Sequence, residues 1–165
     1  MSIQRRGLGG FTLVEILIVV VIIGILAAMV IPQMSSATDE AKAGAAMANR
    51  RAIHAAILNY FKDHAEYPAT IEAEWFVGDK LPPNPWAADW EGDTVQVYAG
   101  NDLERRIPES KTLNPNTNWA RPYFYNANTG DVYLRVPDQG NDADTLALFN
   151  KINGLQLTDI RQDMP

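Results

Sequence analysis

The feature that most constrains this 165-residue chain is an uninterrupted apolar run close to its N-terminus. From Ile16 to Ile31 no residue is charged or strongly polar, and with residues 11–15 the apolar segment is 21 residues long. As a helix, a segment of that length spans about 30 Å of hydrocarbon. Arg5 and Arg6 precede it, which predicts a membrane-crossing helix whose N-terminal side lies in the cytoplasm.

Three simpler interpretations compete with this one. A cleaved secretory signal has a shorter apolar region followed by an A-x-A site, which the exit at Leu26–Pro32 does not offer. A plain single-pass anchor explains everything except Glu15, because a carboxylate in a membrane segment is costly and usually functional. A buried core helix would not need the basic leader. All three stay open on the sequence alone.

The residues around Gly10 form a specific pattern. G-F-T-L-V-E runs from Gly10 to Glu15 and joins a small residue, an aromatic residue and a glutamate in front of the apolar run. The pattern resembles the leader of type IV prepilins and type II secretion pseudopilins. Gly24 and Pro32 fall where such subunits often have a helix-weakening glycine and a proline. The resemblance covers residues 7–68 and is looser beyond them.

The resemblance implies a role for each of these positions. A membrane prepilin peptidase would cut between Gly10 and Phe11, and the new amino group of Phe11 would be N-methylated. Glu15 would then lie in an apolar filament core, where an unpaired carboxylate is costly. The Phe11 amine of a neighbouring subunit is its natural partner, and the pair would fix the register of assembly. Gly24 and Pro32 are assigned to assembly with Glu15, and no residue is assigned to catalysis.

The expected fold is α+β in four segments. Residues 1–10 form the cleaved leader, and residues 11–31 form the transmembrane or filament-core helix. Residues 32–64 continue as an amphipathic helix after a kink at Pro32, because proline removes a backbone donor. Residues 65–165 form a headgroup in which a small antiparallel sheet packs on the second half of the helix.

Two stripes and two charge clusters mark that second half. An apolar stripe predicts the face that holds the headgroup: Ile53, Ala56, Ile57, Tyr60 and Phe61. A stripe of small residues favours close approach of a second helix, or consists only of good helix formers: Ala37, Ala41, Ala45, Ala48, Ala52 and Ala55. Asp39 and Glu40 form an acidic cluster, and Arg50 and Arg51 form a basic cluster. Staggered copies of the chain would pair the two clusters. Alternatively, both clusters form a solvated face.

Three β-rich segments and one helical segment follow in the headgroup. Thr94–Tyr98 predicts one strand. Tyr123–Asn126 and Asp131–Val136 flank Ala-Asn-Thr-Gly and predict a hairpin. Asp144–Gly154 predicts a last short helix that stops at its glycine.

The segment before the strands decides the subfamily. Ala65–Trp86 resembles the segment after the long helix in major pseudopilins, where Tyr-Pro precedes an L-P-x-x-P-W element. Here LPPNPW has Asn84 where the family usually has aspartate. The leading interpretation is a major pseudopilin of a type II secretion pseudopilus. The alternative is a major or minor pilin of a surface type IV pilus, with roles in adhesion, motility or DNA uptake.

An acidic loop suggests calcium as a cofactor. Calcium takes about six to eight oxygen ligands, and four oxygen-bearing side chains lie within seven residues: Asp138, Asn141, Asp142 and Asp144. Major pseudopilins bear a calcium site in a comparable loop, so the resemblance favours one here. The alternative is an acidic turn in which Asp142 or Asp144 is the N-cap of the next helix.

Composition limits the other function classes. The net charge of −6 does not favour nucleic-acid backbones, and the absence of cysteine excludes disulfides and thiolate metal sites. His54 and His64 fall on different faces of one helix, so they do not form a joint metal site. The chain has no G-x-S-x-G motif and no P-loop. A membrane-anchored extracytoplasmic enzyme or binding protein is the alternative from another class.

The resemblance also implies partners and location. The expected partners are further copies of the chain in a homopolymeric filament, the prepilin peptidase, an inner-membrane assembly platform with its ATPase, and minor pilins or pseudopilins. The precursor would cross the inner membrane once with its headgroup outside. The mature form would lie in a periplasmic or extracellular filament.

Overall fold

The computed structural model describes residues 11–87, 95–98, 111–113 and 121–164, and for residues 31–36 the backbone only. Its elements in chain order are α1 (Leu13–His64), a 3-10 turn (Ala73–Trp75), β1 (Val95–Tyr98), β2 (Tyr123–Asn126), β3 (Val132–Leu134) and α2 (Asp142–Asn153). One long apolar helix and one small sheet confirm the predicted α+β class. The chain divides into two compact units, Met1–Glu40 and Ala41–Pro165.

The first helix is the longest element of the chain. α1 is 52 residues long and continues through Pro32, so that proline does not end the helix. Residues with good helix propensity sustain it after the proline. The bend that the sequence predicts at Pro32 stays a prediction.

The core of the second unit lies between α1, the sheet and α2. Ile53 and Ile57 are fully buried and belong to one cluster with the strands and α2, which confirms the predicted packing face. Phe61 stays 38% exposed and stacks on Tyr67. All six alanines of the small-residue stripe are exposed, whereas the helix buries two others, Ala43 and Ala46.

The sheet is mixed, in the order β1-β2-β3. β2 and β3 pair antiparallel, with Tyr123 opposite Leu134, as the hairpin pattern predicts. β1 and β2 pair in parallel, with Val95 opposite Tyr123, so the prediction of an antiparallel sheet is wrong for β1. A parallel pair needs a connection of about a dozen residues or more. The stretch from residue 99 to residue 122 is long enough, whereas the short turn after β2 allows only antiparallel pairing.

Two tyrosines of β2 hold the chain that follows α1. The Tyr125 hydroxyl donates to the Pro68 carbonyl at 2.8 Å, and the Tyr123 hydroxyl donates to the Pro82 carbonyl. Burial raises the pKa of both phenols, that of Tyr125 to about 12, so both stay protonated donors. These bonds tie Tyr-Pro and the proline-rich element to the sheet.

The side-chain amide of Asn84 forms the hydrogen bonds that hold the proline-rich element in place. It is 1% exposed, and its Nδ2 donates to the Arg135 carbonyl at 2.9 Å and to the Pro122 carbonyl at 3.4 Å. Its Oδ1 accepts from the Trp86 N–H at 3.1 Å. An aspartate at this position accepts the Trp86 bond but, when ionised, donates none. Asparagine in place of the family's usual aspartate therefore supplies the donor that these two carbonyls require.

Asn84→Asp should destabilise the headgroup by about 2 kcal/mol at pH 7, because two buried carbonyls lose their donor and face a carboxylate. Burial and the carbonyls should raise the folded-state pKa of the new carboxyl above the unfolded value of about 3.9. The protonated acid can donate, so the loss should be smallest below that pH and should grow as pH rises through the folded-state pKa.

Urea unfolding of a headgroup fragment beginning at Ser35, at pH 4 and pH 7, measures this loss. Asn128→Asp makes the same chemical change at an exposed turn and should cost under about 0.5 kcal/mol. Equal stabilities for the two variants at pH 7 would show that the Asn84 amide does not act as a buried donor.

Candidate assembly and membrane site

The apolar segment of α1 has no partner within the chain. Leu13–Val30 has a mean hydropathy of 3.1 and none of it is buried, and it is long and apolar enough to cross a membrane by length and composition. A core helix of this chain would be mostly buried, so that interpretation is wrong. The exposed segment and the prepilin-type pattern fit a membrane-anchored precursor.

Thr12 and Glu15 form a reciprocal cap at the start of this segment. The Glu15 N–H donates to the Thr12 hydroxyl oxygen at 3.2 Å. Glu15 Oε2 accepts from the Thr12 N–H and from the Thr12 hydroxyl, both at 2.8 Å. This is a capping box, which satisfies donors that the first turn of a helix otherwise leaves free.

The capping box gives Thr12 a role, as the N-cap of α1, that the sequence analysis missed. The sequence signal for this role is T-x-x-E before an apolar run, which is the pattern of a capping box. The cap also gives Glu15 hydrogen bonds within its own subunit. Pairing of Glu15 with the Phe11 amine of a neighbour stays a prediction, because that amine exists only after cleavage. Gly10 lies outside the described residues, and Phe11 is 80% exposed.

No contact with a residue that the structure describes explains Gly24. A Cβ added there would meet nothing within 4 Å, and a glycine inside a helix costs about 1 kcal/mol relative to alanine. The assembly roles of Gly24 and Pro32 stay predictions.

The acidic loop is a helix cap built around Asn141. Asn141 Oδ1 accepts from the Asp144 N–H at 2.8 Å, and Asn141 Nδ2 donates to Asp144 Oδ2 at 2.7 Å. The prediction of Asp142 or Asp144 as N-cap is wrong, because α2 begins two residues earlier than expected. Both aspartates lie in its first turn, where a negative charge favours the helix dipole.

Two further carboxylates of the loop, those of Asp138 and Asp142, also have partners. Asp138 Oδ1 accepts from the Gly140 N–H at 2.8 Å and from the Thr145 hydroxyl at 3.4 Å. Asp142 Oδ2 lies 3.6 Å from Arg161 Nη1. Over the described ranges, no group of three or more His, Cys, Asp or Glu side chains is placed to hold a metal ion. The calcium site stays a prediction.

Thermal melting of the fragment from Ser35 in millimolar calcium, in magnesium and in a chelator tests that prediction. A calcium site requires a higher Tm in calcium than in chelator, a smaller rise in magnesium, and no rise for Asp142→Ala combined with Asp144→Ala. Equal melting curves would assign the loop to helix capping alone.

The two arginines that were predicted to form one basic cluster lie in different environments. Arg50 is half-buried beside Gly154 at the end of α2, and this burial lowers the pKa of its guanidinium. Arg51 is exposed and forms no ion pair with any residue that the structure describes. Arg50 therefore packs partly against the headgroup, whereas Arg51 is exposed.

Comparison with known proteins supports the N-terminal motif, and the sequence similarity continues into the headgroup. Residues 5–31 match the prokaryotic N-terminal methylation motif. A type II secretion system core protein G from Pseudomonas aeruginosa is 44% identical over 122 residues, 74% of this chain and 75% of its own. Core protein G from Escherichia coli is 30% identical over 131 residues, 67% of this chain and 90% of its own. No solved structure matches significantly. The chain therefore belongs to the type II secretion system core protein G family, the major pseudopilins of the type IV pilin superfamily.

Proposed function

We propose that this chain is cleaved before Phe11, N-methylated there, and polymerised as the main subunit of a type II secretion pseudopilus. The observation that carries the proposal is the fully exposed apolar segment Leu13–Val30 with the Glu15 carboxylate at its head. Such a segment needs lipid or further copies of itself around it. The relatives are structural subunits, and no residue of this chain is assigned to catalysis.

The N-terminal residues act in sequence. Arg5 and Arg6 keep the leader in the cytoplasm while the headgroup crosses the membrane. Cleavage at Gly10 precedes the apolar segment, so the mature subunit keeps its anchor and stays in the bilayer. There the capping box supplies the Glu15 carboxylate with hydrogen bonds, which lowers the cost of holding it in apolar surroundings. On extraction, the Phe11 amine of a neighbouring subunit replaces or joins Thr12 as its partner.

The proposal includes the partners that the family requires. These are the prepilin peptidase, an inner-membrane assembly platform with its ATPase, minor pseudopilins and other copies of this chain. The precursor crosses the inner membrane once with its headgroup outside, and the mature form lies in a periplasmic filament. The core protein G relatives favour this role over that of a surface pilin.

Deletion of the gene in the native host tests the proposal. The deletion should abolish release of the proteins that the type II pathway exports and leave surface pili intact, and the wild-type chain should restore release. Loss of surface pili with unchanged protein export would instead identify a surface pilin.

A further inference from the structure

A groove opens on the headgroup at the C-terminal end of α1, next to the 3-10 turn Ala73–Trp75. Its volume is about 340 Å³. Helix and turn line it together: Ala56, Asn59, Tyr60, Asp63, His64 and Trp75. Three of these lining residues, Asn59, Asp63 and His64, are exposed.

The lining of the groove suits a planar cation. The Tyr60 ring stacks on His64 at 4.0 Å between centroids and meets the Trp75 ring at 5.4 Å. Aromatic faces attract cations. Asp63 and Asn59 are exposed, and neither side chain forms a hydrogen bond or ion pair with another residue in the described part of the chain. A carboxylate beside ring faces favours guanidinium over ammonium, because guanidinium is planar, stacks on rings and binds carboxylate with two donors.

The chain itself carries a matching cation. Arg51 is the exposed arginine of α1, whereas Arg50 is half-buried against the headgroup. Arg51 precedes Asp63 by twelve residues, about 18 Å along the helix, so the two side chains of one subunit do not meet. In a second subunit shifted along the filament axis, Arg51 can lie level with this groove.

We propose that Arg51 of one subunit occupies the groove of a neighbouring subunit, pairs with its Asp63 and lies against Tyr60 and Trp75. The inference rests on the proposed function, because it requires subunits staggered along a filament. The alanines that flank Arg51 on the exposed face, Ala48, Ala52 and Ala55, let a second headgroup approach closely. The contact holds the headgroups together and is separate from the apolar helices that hold the filament core.

Charge exchange in the full-length chain tests the pair. The gene replaces its native copy, and the yield of filaments isolated from the periplasm is measured together with the amount of cleaved subunit. Asp63→Arg and Arg51→Asp should each lower filament yield at least about tenfold, because each leaves an interface charge facing a like charge. The two changes combined should restore the yield to within about threefold of the parent. Arg51→Lys keeps the charge but loses the planar fork, so it should lower the yield less than Arg51→Asp.

Lys62→Glu is the matched control. It reverses an exposed charge on the same turn as Asp63 but does not line the groove, so filament yield should not change. Parental yields from both single variants, or a double variant no better than either single one at equal amounts of cleaved subunit, would overturn the inference. Failure of the parent and of Lys62→Glu to form filaments would instead contradict the proposed function.

Discussion

Glu15→Val should abolish filaments while leaving the precursor inserted and cleaved. Valine favours the bilayer over glutamate, and the bond between Gly10 and Phe11 is unchanged. The subunit then lacks the carboxylate that pairs with the amine of a neighbour, so we expect filament yield to fall at least about a hundredfold, since removing one partner of a buried charge pair costs several kcal/mol. Immunoblots of the membrane fraction and counts of filaments isolated from the periplasm measure the two effects separately.

Glu15→Gln separates the two roles of this carboxylate. Glutamine can still complete the capping box with Thr12, but it carries no charge to pair with an ammonium group. If the charge pair drives assembly, Glu15→Gln should be as deficient as Glu15→Val. Normal filaments from Glu15→Gln would assign the residue to helix capping, and normal filaments from both variants would remove Glu15 from assembly altogether.

Gly130→Ala should destabilise the headgroup by about 3 kcal/mol. Gly130 lies in the β2–β3 turn with a φ of 77°, where an L-residue costs about 1–2 kcal/mol. A Cβ there would also overlap the Tyr67 ring, which is held by its stack on Phe61 at 4.5 Å. Displacing that ring should account for the rest of the loss. Urea unfolding of the fragment from Ser35 measures the change.

Gly140 provides the matched control for the overlap. Its φ is 85°, but a Cβ there meets nothing within 4 Å. Gly140→Ala should therefore cost only the backbone part, about 1–2 kcal/mol. In a Tyr67→Ala background the cost of Gly130→Ala should fall to the same value. Equal costs for Gly130→Ala and Gly140→Ala in the parent would show that Tyr67 moves freely and that backbone strain is the whole effect.

Local signals in the sequence were sufficient for the elements that depend on near neighbours. The Gly10–Glu15 pattern and the apolar run identify the family, since both are contiguous. The alternation around Ala-Asn-Thr-Gly gives the β2–β3 hairpin, because a short turn fixes antiparallel pairing. The spacing of Ile53 and Ile57 on one helix face gives the surface that the headgroup covers.

Features that depend on distant parts of the chain were not predictable in the same way. The parallel pairing of β1 follows from a long connection whose path no local pattern specifies. Asn84 acts through carbonyls at residues 122 and 135, which only the folded headgroup brings together. Arg50 and Arg51 are neighbours in sequence, yet the helix turns one toward the core and the other toward solvent. The N-cap is Asn141 and not either predicted aspartate, Asp142 or Asp144, because asparagine and aspartate cap equally well and the sequence does not choose between them.

The N-terminus of the subunit in native filaments tests the central claim most directly. Filaments isolated from the periplasm of the native host, digested and measured by mass spectrometry, should give an N-terminal peptide that begins at Phe11 and carries one additional methyl group. That peptide requires both cleavage after Gly10 and assembly of the product with its apolar segment intact. A peptide that begins at Met1, or near Met29 behind the apolar segment, would contradict the account.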